Sequence, residues 1–238
     1  TGKDQRVYFF NLKEIPGNKY GTPAPVPFRV VDANIGLDMD VSVRCNGEYS
    51  YKISDHAIGG FDFGPVFKDV AGILSDADLT VMNFEGNIYG EPYGTQTTSA
   101  PVELIRTLRS CGVDLLQMAN SCAINNGLNG LTATLNAIRG AGIEPVGAYA
   151  SASELRTSKG YTITEVQGIK IAFVAFTKGL GGRGMPAGNE NLVNLLYTDY
   201  ATEYKEIARD RIGEILKNVE TEKPDLTVAL LHWGSEYN

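Results

Sequence analysis

Basic residues are the first shortage: 21 Lys and Arg stand against 28 Asp and Glu, a formal net charge of −7 over 238 residues. A surface that holds nucleic acid or an anionic membrane needs clustered Lys and Arg, so neither is an expected partner. An acidic ligand would need a local basic pocket or a metal ion. Cysteine is scarce as well. Cys45, Cys111 and Cys122 are an odd number without C-x-x-C spacing, which excludes a disulfide framework and a thiolate zinc site. They read as free thiols. Missing too is any apolar run near the roughly 20 residues that span a bilayer, and no charged-then-apolar leader opens the chain. Because the sequence begins TGKDQRVYFF and has no methionine before Met39, a leader or lipid anchor is expected to have preceded it.

What is present suffices for one buried core, since 43% of the residues are hydrophobic and the length is that of a single domain. Residues 1–27, with IPGNKYGTPAPVP, read as an extended arm, and 28–238 as one α/β domain. FRVVDANIGL reads as a first buried strand, and FGPVFKDVAGILSDAD as a helix with Val66, Val70, Ile73 and Leu74 along one side. DLTVMNFEG is then a second strand. The unit repeats: SAPVELIRTLRSCG as helix, VDLLQMAN as strand, GLNGLTATLNAIRGAG as helix with Leu131, Leu135 and Ile138 on one face, and IEPVGA as strand. Such alternation with short connections predicts a parallel sheet covered by helices. Beyond residue 160 the pattern changes. YTITEV, a Gln-Gly turn and IKIAFVAF predict an antiparallel hairpin, followed by the long loop GLGGRGMPAGNENLVN. ATEYKEIARDRIGEILKNVE predicts an amphipathic helix on Ala208, Ile212, Ile215 and Val219, and DLTVALLHWGSEYN a buried strand.

Four predicted strands pass directly from apolar to polar residues: at Asp32 and Asn34, at Asn83 and Glu85, at Asn120 to Cys122, and at His232 and Glu236. In an open α/β sheet such ends share an edge where ligand crevices form. Two carboxylates, Asp32 and Glu85, with the imidazole of His232 form a candidate ligand set for manganese, iron or zinc, all of which accept oxygen and nitrogen donors. The plainer reading has Asp32 and Glu85 capping turns and His232 satisfied at a strand end. Cys122 beside His232 is a candidate nucleophile and base, although a free cysteine more often packs as a small apolar group. Arg183 offers a planar fork for a carboxylate, and Trp233 a stacking surface. The loop glycines lack the spacing of a phosphate-binding fingerprint and read as flexibility.

ADLTVMNFEGNI, GVDLLQMANSCAINNGLNGLTATLNAIRGAGIEPVGA and LTVALLHWGSEYN, in that order, resemble successive blocks of the CapA-type capsule-synthesis family implicated in poly-γ-glutamate production. That family is a branch of the calcineurin-like metallophosphatase superfamily, and the resemblance runs from about residue 28 to the last. It implies a metallophosphatase-like sandwich with a mixed, largely parallel sheet flanked by helices. A protein working outside the cytoplasm or anchored at the cell surface, with an acidic polymer or small molecule as ligand and other capsule-synthesis proteins as partners, would follow. The family's first aspartate falls on Asp32, with Val31 where glycine is usual, and its Asn-Leu-Glu block on Asn83, Phe84 and Glu85. Its Asn-Asn-His block falls on Asn120, Ser121 and Cys122, and a following aspartate on Asn125. His232, Trp233, Gly234 and Glu236 match the His-Trp-Gly-x-Glu block in full.

A later Gly-His-x-His block that completes the family's metal site has no counterpart. The chain has two histidines, His56 and His232, so the expectation is a domain seen without its C-terminal portion. At the Asn-His position a serine hydroxyl is a poor metal ligand and a neutral thiol, with pKa near 8.5, a mediocre acid. Loss of ligands weakens a metal site by orders of magnitude. The substitutions therefore predict a degenerate site holding metal weakly or not at all, with Asn83, Asn120, Ser121, Asn125, Arg183, Trp233 and Glu236 as ligand contacts. The alternative is an active metal-dependent hydrolase or transferase using Asp32, Glu85 and His232.

Overall fold

The computed structural model describes residues 60–94 and 96–234, together with the backbone of four strands before them. The chain divides into two compact units, Thr1–Val66 and Phe67–Asn238. In the first, β1 (Ile15–Gly21) pairs antiparallel with β4 (Asn46–Tyr51), and β2 (Val26–Asp32) with β3 (Leu37–Val43). β1 falls inside the segment read as an extended arm. The stretch read as one strand of a parallel sheet, residues 28–37, holds most of β2 and the first residue of β3, and β2 pairs antiparallel, with Asp32 opposite Leu37. So short a connection permits only antiparallel pairing, because parallel strands need a crossover of a dozen or more residues.

The helix expected over 63–78 is two short ones, α1 (Gly64–Phe67) and α2 (Ala71–Ser75). Val66, Val70 and Ile73, its expected apolar side, are exposed. Glycine at position 72 weakens a helix by about 1 kcal/mol relative to alanine, and no buried face offsets that here.

The rest of the second unit follows the alternating pattern. β5 (Val81–Asn83), β6 (Leu115–Gln117) and β7 (Glu144–Val146) form a parallel sheet in that order. The crossovers are α3 (Val102–Ser110) and α4 (Gly127–Gly140). All three β6 residues are buried, and α4 sets Leu131, Leu135 and Ile138, each fully buried, into the same core. After β7 comes α5 (Ala152–Ser158), a helix the sequence reading passed over. Its signal was available: the Ser151 hydroxyl accepts the Glu154 backbone N–H, the Ser-x-x-Glu arrangement of a capping box.

β8 (Thr162–Val166) and β9 (Ile169–Thr177) make the expected antiparallel hairpin. Its two turn residues, Gln167 and Gly168, both have positive φ, as the favoured two-residue hairpin turn requires. β9 alternates between two cores: Ala172, Val174 and Phe176 face Ile215 and Val219 of α6 (Arg209–Glu222), while Phe173 and Ala175 face the main core. α6 starts eight residues later than the periodicity suggested. The Asp199 carboxylate accepts backbone N–H groups of Lys205 and Glu206 and holds that stretch as a turn. β10 (Leu226–His232) runs parallel to β9, with His232 opposite Thr177. Among the described residues it is an edge strand, paired only with β9, rather than a buried one, and Leu226 and Leu231 are 49% and 51% exposed.

Gly147, just past β7, sits at the seam of the two sheets. A β-carbon there would fall 2.7 Å from Cβ of Ala175 and 2.8 Å from Cβ of Ala119, and its φ of +85° is itself one that glycine tolerates best.

Candidate functional site

β5, β6, β9 and β10 all end on one side of these sheets, and the residues just past their ends line a cavity of about 490 Å³. Glu85 and Ser121 form one wall. Lys178, His232, Trp233 and Gly234 form the other, with Gly179, Gly181 and Tyr204 between them. Another cavity, of about 410 Å³, is lined by Asp114, Arg139, Glu144, Glu154 and Tyr161 among others and carries none of the predicted site residues.

The turn after β6 is built around Asn120, which is fully buried. Its amide nitrogen donates to Asn83 Oδ1 at 3.1 Å and to the Phe84 carbonyl at 2.8 Å, while its Oδ1 accepts the Cys122 backbone N–H at 3.1 Å. A buried amide used on both sides ties the end of β5 to the end of β6 and aims Ser121 outward. Asn120 thus shapes the site from beneath, bonded to the exposed Asn83 at the end of β5.

Above Asn120 the Ser121 hydroxyl donates to Glu85 Oε1 at 2.9 Å, and His232 Nε2 meets the same oxygen at 2.7 Å. The other ring nitrogen, Nδ1, lies 3.4 Å from Thr177 Oγ1. That hydroxyl donates to the Gly179 carbonyl at 2.9 Å. Each ring nitrogen thus has an oxygen partner, and the tautomer decides the role of Nδ1. The Glu85 hydrogen bond raises the His232 pKa above its ordinary 6.5 against opposing burial. The same bond, assisted by Ser121 and opposed by burial, holds Glu85 below its ordinary 4.5.

Of the predicted residues, the structure brings Glu85, Ser121, His232 and Trp233 to one cleft, with Asn120 behind it, bonded to Asn83. Asn125 and Arg183 lie beside it, joined by a hydrogen bond of 2.8 Å from Arg183 Nη1 to Asn125 Oδ1. Trp233 is 71% exposed and packs into no core. Cys122 and His232 are not paired as nucleophile and base: the thiol meets the Ser121 hydroxyl at 3.8 Å, and both imidazole nitrogens are engaged elsewhere. Cys45, the Asp32 side chain, Asn34, His56 and Glu236 lie outside the described residues. Sequence reasoning missed Thr177, Lys178 and Tyr204. Lys178 Nζ meets the Gly234 carbonyl at 3.2 Å and stands 4.7 Å over the Tyr204 ring. Its signal was the parallel register of β9 and β10, which must bring Thr177 and Lys178 level with His232.

Residues 35–238 match the family model described as bacterial capsule synthesis protein PGA_cap. The chain belongs to that family. It is 27% identical over 197 residues, 81% of its length, to the PGA biosynthesis protein CapA of Bacillus subtilis (strain 168), of which this covers 47%. It is 25% identical over 180 residues to the capsule biosynthesis protein CapA of Bacillus anthracis, covering 73% of this chain and 41% of that one. The chain therefore spans under half the length of these relatives. Among solved structures, it is similar over 94% of its length to the NAD nucleotidase of Haemophilus influenzae (TM-score 0.41, 17% identity). It is similar over 63% to a 5′-nucleotidase precursor from Thermus thermophilus (TM-score 0.37, 14% identity). No helix among the described residues is long and apolar enough to cross a membrane.

Among the described residues, which leave out the Asp32 side chain, the donors do not make up a ligand set for a divalent metal. Among the described residues no three His, Cys, Asp or Glu side chains gather as ligands. Glu85 and His232 supply two, with Oε1 of one in direct contact with Nε2 of the other. Ser121 adds a hydroxyl, a weak donor beside carboxylate or imidazole.

Proposed function

We propose that this capsule-synthesis chain uses the cleft to bind an acidic polymer at the outer face of the cell, on a site related to metallohydrolases that holds metal weakly or not at all. The observation that carries this reading is the direct Glu85–His232 contact at 2.7 Å. It turns two candidate metal ligands into a mutually neutralised pair that shapes a wall. The neighbouring cations, Lys178 and Arg183, then give an otherwise acidic protein a local basic rim. The curated relatives bear on the ligand through the name of one of them, a PGA biosynthesis protein, and poly-γ-glutamate is a polymer of carboxylates.

The test measures metal content and ligand binding on the same full-length protein. Elemental analysis after purification without chelator is expected to find no stoichiometric manganese, iron or zinc. A γ-linked glutamate oligomer is expected to bind equally well with and without EDTA. Stoichiometric metal that disappears in Glu85→Ala, with binding or hydrolysis abolished by EDTA, would replace this reading with the metal-dependent hydrolase built on Asp32, Glu85 and His232.

A further inference from the structure

We propose that Arg183 is the residue with which the cleft reads an oxyanion, and that Asn125 aims its guanidinium and leaves the charge uncompensated by holding it with a neutral amide. The proposal rests on the reading of the cleft as a site for an acidic ligand and names the group that selects it.

The geometry is a short chain of contacts. Thr98 Oγ1 accepts from Asn125 Nδ2 at 3.0 Å, which fixes the amide so that Oδ1 faces away from Thr98. That Oδ1 accepts from Arg183 Nη1 at 2.8 Å. The loop bearing Arg183 is folded back on itself: its backbone N–H donates to the Leu180 carbonyl at 3.1 Å. The two residues between, Gly181 and Gly182, have φ of +60° and +78°, a pair of left-handed positions that glycine fills without strain. Gly181 also lines the cleft, and a β-carbon on it would come 3.2 Å from the Ser121 carbonyl and 3.5 Å from Arg183 Nη1. The turn carrying Ser121, the glycine loop and the guanidinium thus form one packed lip.

The chemistry follows from what the partner is. A guanidinium has five N–H donors and a permanent charge. An amide oxygen occupies one donor and cancels none of the charge, whereas a carboxylate in the same place would form an ion pair and neutralise it. No ion pair to Arg183 forms among the described residues. The side chain is exposed, so its remaining donors are open to a planar carboxylate, which the fork meets bidentately, or to a phosphate.

Calorimetric titration of the full chain with a γ-linked glutamate tetramer, and separately with inorganic phosphate, tests this through Arg183→Lys and Asn125→Asp. Arg183→Lys keeps the charge and loses the fork, and is expected to weaken the preferred probe about tenfold. Asn125→Asp leaves Arg183 in place, gives it a carboxylate to pair with, and is expected to weaken binding by a similar factor. The double variant should be no weaker than either single one. Unchanged near-ultraviolet circular dichroism would show that the fold is kept at exposed Arg183 and half-buried Asn125. If the wild type binds the tetramer and both variants stay within twofold of it, the assignment of Arg183 is wrong while the acidic-polymer reading stands. If the tetramer fails to bind but phosphate binds and responds to both variants, the assignment holds and the polymer reading falls. Binding of neither probe by the wild type overturns the proposal.

Discussion

The turn after β6 and the end of β10 supply facing walls of one cleft and are held in opposite ways. β6 is the central strand of its sheet, buried throughout, and the turn that follows it is locked from beneath by buried Asn120. β10 is an edge strand with half-exposed leucines, and the imidazole at its end is held by one carboxylate and one hydroxyl at the rim. One wall is architecture and the other is adjustable. A site so divided can keep a fixed floor while its contacts to a ligand vary.

That contrast is most exposed to failure in the core. Leu116→Ala, at a fully buried β6 position, is expected to cost about 2–5 kcal/mol in urea unfolding. Leu231→Ala, half exposed on β10, should cost under about 1 kcal/mol. Similar losses at the two positions would remove the distinction. Asn120→Ala should come next, at about 2–3 kcal/mol, because it leaves a buried carbonyl and a backbone N–H without partners. If instead the unfolding midpoint hardly moves, water has replaced the amide and the floor is less rigid than described.

The smallest effect concerns the adjustable wall. His232 has its pKa raised in the folded state, so its contribution to stability is complete below about 6.5 and is lost as pH rises through the raised value. Glu85 has its pKa lowered, so its contribution is complete above about 4.5 and is lost as pH falls through the lowered value. The pair therefore stabilises most between those two values. Glu85→Gln should remove at most about 1 kcal/mol there, since the groups are partly solvated. It should also move the His232 titration midpoint, followed by NMR, downward. A midpoint that stayed in place would mean the contact does not persist in solution.

Much of this was legible in the sequence because burial and periodicity speak together in the second unit. The apolar runs at β5, β6 and β7, the α4 face of Leu131, Leu135 and Ile138, and the Gln167–Gly168 hairpin were all readable. So was the convergence of Glu85, Ser121 and His232, a direct consequence of parallel strands ending on one rim. What was lost involved competition between equal local signals. The run from Phe28 to Leu37 is as apolar as one strand and as short as a hairpin. The apolar residues of 63–78 suit one helix face, yet Val66, Val70 and Ile73 stay exposed. Whether β10 lies at the centre or the edge of its sheet depends on strand order, which periodicity does not encode. Lys178 escaped notice because it matters only once β9 and β10 are known to be neighbours.

The missing side chain at Gly147 sets the spacing of everything above it. With Ala119 just past β6 and Ala175 on β9 pressed against that bare α-carbon, the two sheets approach as closely as backbone allows. The carboxylate on one bank and the imidazole on the other can then touch without reaching. A single added methyl, at a position outside the cleft's lining, would prise the banks apart and unclasp them.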